Sequence, residues 1–276
     1  MKPRTPQQKR ILVIAFAVLV LLTAVLLWQG VRHGDAVRVG IPKSYTAAGA
    51  APLLQTSAAQ YVCTLGSTTA VLQKALLAGD LDAALLPYDM AVSCDGCEIR
   101  AILGYEQLLL LGRKEATHVQ DLDNCTLTLP QKLQDSALAR MLTKLFKKED
   151  TICVIQYSDD FSEAEWIACG LDDAALILRA QPEMRICFSL TRSARRALDT
   201  APYGLCLTVR EDYLRQAGTD YDAFERMLQD AVHYADDKRK KTVAMMASSG
   251  IAANETEANL IYPYCSFRYM DSSTLE

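Results

Sequence analysis

The sequence predicts an α/β protein of two lobes preceded by one N-terminal transmembrane helix. Three observations predict it: a charge-free apolar run near the N-terminus, a regular alternation of strand-like and helix-like segments behind it, and an internal echo within that alternation. The run spans residues 11–28 (ILVIAFAVLVLLTAVLLW). At ~1.5 Å per residue it extends about 27 Å, enough to cross a bilayer core. Lys2, Arg4, Lys9 and Arg10 precede it with no acid among them. Positive flanks stay cytoplasmic, so residues 1–10 read as a cytoplasmic tail and 11–28 as a single-pass anchor in the cell membrane. Everything behind Trp28 is then extracytoplasmic. A cleaved signal peptide is the alternative, although the run exceeds the usual ~7–15-residue apolar core and Gly34-Asp35-Ala36 is a poor cleavage site.

Behind the anchor, residues 36–41 alternate as a first strand, and the Ala-rich stretch 45–58 suits a helix. Residues 61–65 read as a second strand. The hydroxyls of Ser67, Thr68 and Thr69 then suit the start of a periodic helix through Ala78. Residues 81–86 form a short apolar strand that Pro87 ends, and 98–103 and 107–111 give two more. A strand within 121–129 precedes an amphipathic helix at 134–148, whose basic end complements the helix dipole. Strand 151–157, helix 162–169 and strand 173–178 follow. Strand 205–210 leads to one long helix at 221–248 and a short one at 254–262. This alternation indicates a parallel-rich α/β architecture.

The echo is Gly79-Asp80-Leu81-Asp82-Ala83-Ala84-Leu85 against Gly170-Leu171-Asp172-Asp173-Ala174-Ala175-Leu176. Each copy is expected to close a helix at its Gly and enter a buried strand, placing Asp82 and Asp173 equivalently in two lobes. The lobes are expected at 36–105 plus 213–276 and at 106–212, with hinges near 104–106 and 213–220. Ligands of open α/β sheets bind beyond the carboxyl ends of the strands, here the cleft between lobes.

With 29 basic against 33 acidic residues and a formal net charge of −4, the chain makes a poor partner for nucleic acid. Its one basic block behind the anchor, Lys238-Arg239-Lys240-Lys241, lies in a helical pattern. The 3 histidines sit in no nucleophile or metal motif, and there is no Gly-x-Ser-x-Gly or Walker loop, so neither an enzyme, a metal nor a cofactor is expected. Most of the 9 cysteines lie in apolar strand-like runs and read as small hydrophobes. Cys94-Asp95-Gly96-Cys97 is the close pair, able to form a loop disulfide outside the cell.

Four stretches carry a family resemblance: Val37-Arg38-Val39-Gly40-Ile41-Pro42, then STTAVLQKALLAGDLDAALLP at 67–87, then 109–128 with its Val119-Gln120-Asp121-Leu122 turn, then 169–182 ending in Gln181-Pro182. Together they resemble the substrate-binding proteins of ABC importers of the nitrate/sulfonate/taurine and thiamine-pyrimidine-precursor type, with a type II periplasmic-binding fold. The likeness spans roughly 37–250. It departs between Pro52 and Tyr61, where the chain is short, and at Gln181, where the family has Glu. The resemblance implies a solute-binding protein that hands a small polar solute to the permease and ATPase subunits of an ABC importer. A sensory or scaffolding ectodomain of the same fold is the alternative, and an enzyme of the pyrimidine-precursor type a more distant one.

The implied cleft draws on residues at strand ends and helix starts. Lys43, Ser44 and Tyr45 follow the first strand. Ser67, Thr68 and Thr69 offer hydroxyls and free N–H groups at a helix start, as an anionic or polar ligand requires. Tyr88 and Asp89 end the third strand, where the ring can stack on a ligand. Ser136 opens the helix of the second lobe, and Tyr157 and Ser158 close one of its strands. Arg179 offers a fork for a carboxylate or sulfonate. Capping, turns and surface exposure account for the same residues without a ligand.

Overall fold

A computed structural model describes residues 36–55, 61–217 and 219–272. The expected anchor at 11–28 lies outside them, and no helix among the described residues is long and apolar enough to cross a membrane. In chain order, β1 (Val37–Pro42), a 3-10 segment (Tyr45–Gln55), β2 (Tyr61–Gly66), α1 (Thr69–Ala78), β3 (Ala83–Pro87), α2 (Tyr88–Val92) and β4 (Cys97–Tyr105) come first. Then follow β5 (Leu109–Gly112), β6 (Cys125–Leu129), α3 (Ala137–Lys148), β7 (Cys153–Tyr157), β8 (Trp166–Cys169), α4 (Leu171–Ala180), β9 (Arg185–Ser189) and α5 (Leu190–Leu198). The chain ends through β10 (Tyr203–Arg210), α6 (Glu211–Ala217), α7 (Thr219–Asp237), α8 (Arg239–Ser248), α9 (Glu255–Ile261) and β11 (Met270–Asp271).

These strands build two sheets, ordered β11-β4-β10-β3-β1-β2 and β7-β6-β8-β5-β9. Within the first, β1 runs parallel to β2 and β3, and β10 lies antiparallel between β3 and β4. Within the second, β6 runs parallel to β7 and β8, while β5 is antiparallel to β8 and β9. Helices cover both faces of each sheet, so central strands such as β5 (LLLG) and β8 (WIAC) are apolar throughout and buried at every position. The outermost strands β2 and β7 alternate buried and open positions instead. One apolar cluster lies on each sheet face, and the 3-10 segment joins two of them. Its Ala47 and Ala50 pack on the first sheet with β1 and α7, and its Ala48 and Ala51 pack with β5, β8, α4, α8 and α9. Only side chains this small fit between two layers.

Several expectations are corrected. Residues 166–169 form strand β8, not the end of a helix, and 171–180 form helix α4, not a strand. The echo therefore joins unlike elements. Gly79 closes α1 at φ +81°, its N–H bonding back to the Ala75 and Leu76 carbonyls, whereas Gly170 opens α4 at φ −68°. Asp82 precedes β3 and grips Arg38 through its backbone N–H (2.9 Å) and guanidinium (2.6 Å). Asp173 sits in the first turn of α4, where an acid suits the helix dipole. Short runs of alanine and leucine serve strand or helix equally, and the neighbouring elements decide. The long helix expected at 221–248 breaks at Lys238 into α7 and α8.

The first passage between sheets, residues 106–108 from β4 to β5, meets the stretch read as a hinge at Glu106. The return lies elsewhere. The chain re-enters the first sheet through β10, so the second passage lies at residues 199–202 rather than 213–220. The two passages are joined by the Glu106 N–H bonding to the Pro202 carbonyl (2.9 Å). The C-terminal segment is also not confined to the first lobe: Val243, Met246, Ala258 and Ile261 pack in one cluster with Leu109, Leu111 and Ile167 of the second sheet.

Candidate functional site

The strand registers define where a ligand can sit. In the first sheet, the carboxyl ends of β1, β2 and β3 (Pro42, Gly66, Pro87) share one edge with Tyr105, the end of β4, and Tyr203, the start of β10. In the second sheet, the carboxyl ends of β6, β7 and β8 (Leu129, Tyr157, Cys169) share an edge with Leu109 and Ser189. The chain crosses between these two edges twice, directly from β4 to β5 and from β9 through α5 and residues 199–202 to β10, so the edges face one another across the cleft.

The structure brings most of the sequence-chosen residues to this cleft. Ser67, Thr68 and Thr69 follow β2, and Thr68 caps α1 by accepting the Val71 N–H (3.3 Å). Tyr88 and Asp89 open α2 directly beyond β3, with Tyr88 37% exposed. Ser136 caps α3 through the Ala139 N–H (3.1 Å). Tyr157 ends β7, and the Ser158 hydroxyl is spent locally, donating to the Asp160 carbonyl (3.1 Å) and accepting its N–H (3.0 Å). Lys43 is exposed beyond β1, its N–H bonded to the Gly66 carbonyl (2.9 Å).

Two choices are placed elsewhere. The Tyr45 ring is buried in the core behind the cleft, and its hydroxyl donates to Glu257 of α9 (2.6 Å). Arg179 lies in the last turn of α4, roughly 13 Å along the helix from the cleft edge. There it also pairs with Glu257 (3.1 Å from Nε), in a separate groove of about 640 Å³ lined by Ala175, Leu178, Asn254 and Leu260. Burial works against the Glu257 charge, but the Tyr45 hydroxyl and Arg179 outweigh it and hold the carboxyl below its ordinary range.

Sequence reasoning did not select five residues that shape the cleft. Asp172, at the start of α4, reaches across it. Its carboxylate accepts the Ser44 hydroxyl (2.6 Å) and the Tyr45 N–H (2.8 Å). The hydroxyl and N–H beyond β1, a natural seat for an anion, are thus filled by the protein's own carboxylate. Tyr203 forms the floor between Tyr88 (centroids 5.3 Å apart, tilted) and Tyr105 (6.1 Å, stacked). Arg195 of α5 covers Tyr105 at 4.1 Å, so Tyr88 offers the more open ring.

The fifth is Glu106, in the hinge. Burial, and then the nearby charge of Asp89, push its carboxyl up to about 7. Among the described residues, neither the Glu106 nor the Asp89 side chain has a hydrogen-bond or ion-pair partner. The signal for Glu106 was its place at the expected hinge. Tyr203 and Asp172 gave none, because the return strand and α4 were misread.

The architecture can be set beside known proteins. An ABC transporter from Parabacteroides distasonis superimposes with a TM-score of 0.67 at 14% identity, over 87% of this chain and 87% of that one. The fold is that of the periplasmic binding proteins. A ligand-binding component of an ABC-type import system from Staphylococcus aureus, solved with zinc bound, gives 0.61 at 14% identity over 86% of each chain. The periplasmic aliphatic sulphonate-binding protein SsuA from Escherichia coli gives 0.59 at 12% identity, over 85% of this chain and 80% of that one. Identities this low speak for the fold alone. No family model and no curated protein matches the chain. The type II periplasmic-binding fold expected from sequence is thus found. Among the described residues, no group of His, Cys, Asp and Glu is arranged to hold a metal ion.

Proposed function

We propose that the chain is a membrane-tethered, extracytoplasmic solute-binding protein that captures a small polar solute between its lobes and delivers it to the permease and ATPase of an ABC importer. The observation that carries the solute class is the pair Glu106 and Asp89, close enough to feel each other's charge and unpartnered among the described residues, with the exposed Tyr88 next to Asp89 in the chain. A half-buried carboxylate such as Glu106, without a counter-charge, is costly, and a cation supplied by the solute removes that cost. An aromatic face beside it adds cation–π attraction. Asp172 meanwhile holds the Ser44 and Tyr45 donors that an anionic solute would use. The favoured solute is therefore small and polar with a cationic nitrogen, an amine or amidinium, rather than a sulfonate.

The test is a thermal-shift panel at pH 8 of amines, amidines and basic heterocycles against sulfonates, nitrate and carboxylates. A solute that binds only the folded form raises its stability by about 2.7 kcal/mol at a hundredfold excess over Kd. A cationic solute should give the shift, and the shift should shrink as pH falls through about 7, where Glu106 takes up its proton. A shift given by sulfonates alone would reject this solute class. For the tether, protease added to intact cells should digest the region behind Val37 and spare the N-terminal tail. A C-terminal tag that stays protected would reverse the orientation. For delivery, permease and ATPase genes should adjoin this one; a kinase or cyclase gene in their place would favour sensing.

A further inference from the structure

Cys94 and Cys97 play no part in the cleft, yet the fold sets them up for one another. Cys94 follows α2 and Cys97 opens β4, and the Cys97 N–H bonds to the Cys94 carbonyl (3.3 Å) across an Asp95-Gly96 turn. A turn closed this way holds its end Cα atoms within about 7 Å. Disulfides need Cα separations of about 4.4–6.8 Å. Gly96 supplies the left-handed conformation the turn requires, at φ +71°, and faces open space. Both cysteines turn toward the same apolar cluster, with Leu76, Leu86 and Ile102, so their side chains lie on one side of the turn.

We propose that Cys94 and Cys97 are the site of a structural disulfide, formed against a small disulfide oxidant of the oxidised-glutathione class. One thiolate attacks the oxidant and releases one reduced glutathione, leaving a mixed disulfide. The second thiolate displaces the other glutathione. The two thiols lose two protons and two electrons, and the oxidant is reduced to two thiols. Burial pushes the Cys97 thiol up to about 11, which leaves little thiolate at neutral pH. Such a pair suits a bond made once during folding, while the turn is open, better than a redox catalyst. The closed ring fixes the end of α2 to the start of β4, and α2 carries Tyr88 and Asp89 at its other end.

The test uses the full chain, refolded from denaturant in a glutathione redox buffer or in strong reductant, alkylated and mapped by peptide mass spectrometry. The oxidised sample should yield the peptide holding Cys94 and Cys97 unalkylated and about 2 Da lighter, and should melt about 2–5 °C above the reduced one. A double variant, C94S with C97S, should melt like the reduced parent in both buffers. The proposal is overturned if both cysteines remain alkylatable after oxidative refolding. It is equally overturned if the bond maps to Cys125 and Cys153, which face each other across β6 and β7. Neither result depends on whether the cleft binds a solute.

Discussion

Among single residues, Glu106 and Asp172 are two carboxylates that burial pushes up, and they differ in the partners they find. Asp172 spends its charge on Ser44 and Tyr45, while Glu106 has its carboxyl pushed up to about 7. A carboxyl whose folded value lies above its unfolded one favours the protonated folded state between those values. The stability cost therefore sets in as pH rises from about 4.5 and is complete above about 7. Glu106→Gln removes that cost. Urea melts should find the variant more stable than the parent at pH 8, on the order of 1–3 kcal/mol, and level with it below pH 4.5. Equal stability at pH 8 would mean that the carboxylate is already neutralised. Asp172→Ala should do the reverse, losing about 1–3 kcal/mol at pH 7 by stranding the Tyr45 N–H, while the Ser44 hydroxyl keeps Thr46 as a partner. An unchanged urea midpoint would show that this bridge contributes nothing to the fold. The places of Ser67, Thr68, Tyr88 and Ser136 at strand ends and helix starts were legible in the sequence, because strand ends and helix caps have local signatures. Glu106, Asp172 and Tyr203 were not, because their importance comes from partners 17 to more than 100 positions away.

Among the elements, the 3-10 segment and the hinge end of β4 are the most tightly specified. Ala51 is fully buried between layers, so Ala51→Leu should overpack the seam and cost about 1–3 kcal/mol in denaturant melts. A cost under half a kcal/mol would mean that the layers part readily there. Gly104 sits at φ +80°, and a Cβ there would come within 2.4 Å of the Ser266 Oγ that accepts the Tyr105 N–H. Gly104→Ala should therefore lower the melting temperature by several degrees and loosen the segment that carries Glu106. Strand and helix periodicity located most elements. It failed where a short apolar run fits either state, at 166–169 and 171–180, and where β10 had to be assigned to a sheet. Sheet membership follows from long-range pairing, which period alone does not encode.

For the whole molecule, the alternation of elements and the four family-like stretches pointed to two lobes and a cleft, and the two sheets joined by short passages have that form. What local patterning missed is how firmly the lobes are tied behind the cleft. The 3-10 segment, α8 and α9 share one apolar cluster with the second sheet, while the 3-10 segment also packs on the first. Such a seam favours small rotations about the hinge at 106–108 and 199–202 over wide opening. A solute held at the edge formed by Glu106, Asp89 and Tyr88 should shield the backbone there, and hydrogen exchange followed by mass spectrometry, with and without a cationic solute from the thermal panel, reads that shielding. Exchange should slow in 66–69, 88–92, 104–108 and 199–205, less at 157–160, and not in the groove formed by α4 and α9. Slowing confined to 175–180 and 254–260, with the hinge segments unchanged, would contradict that placement.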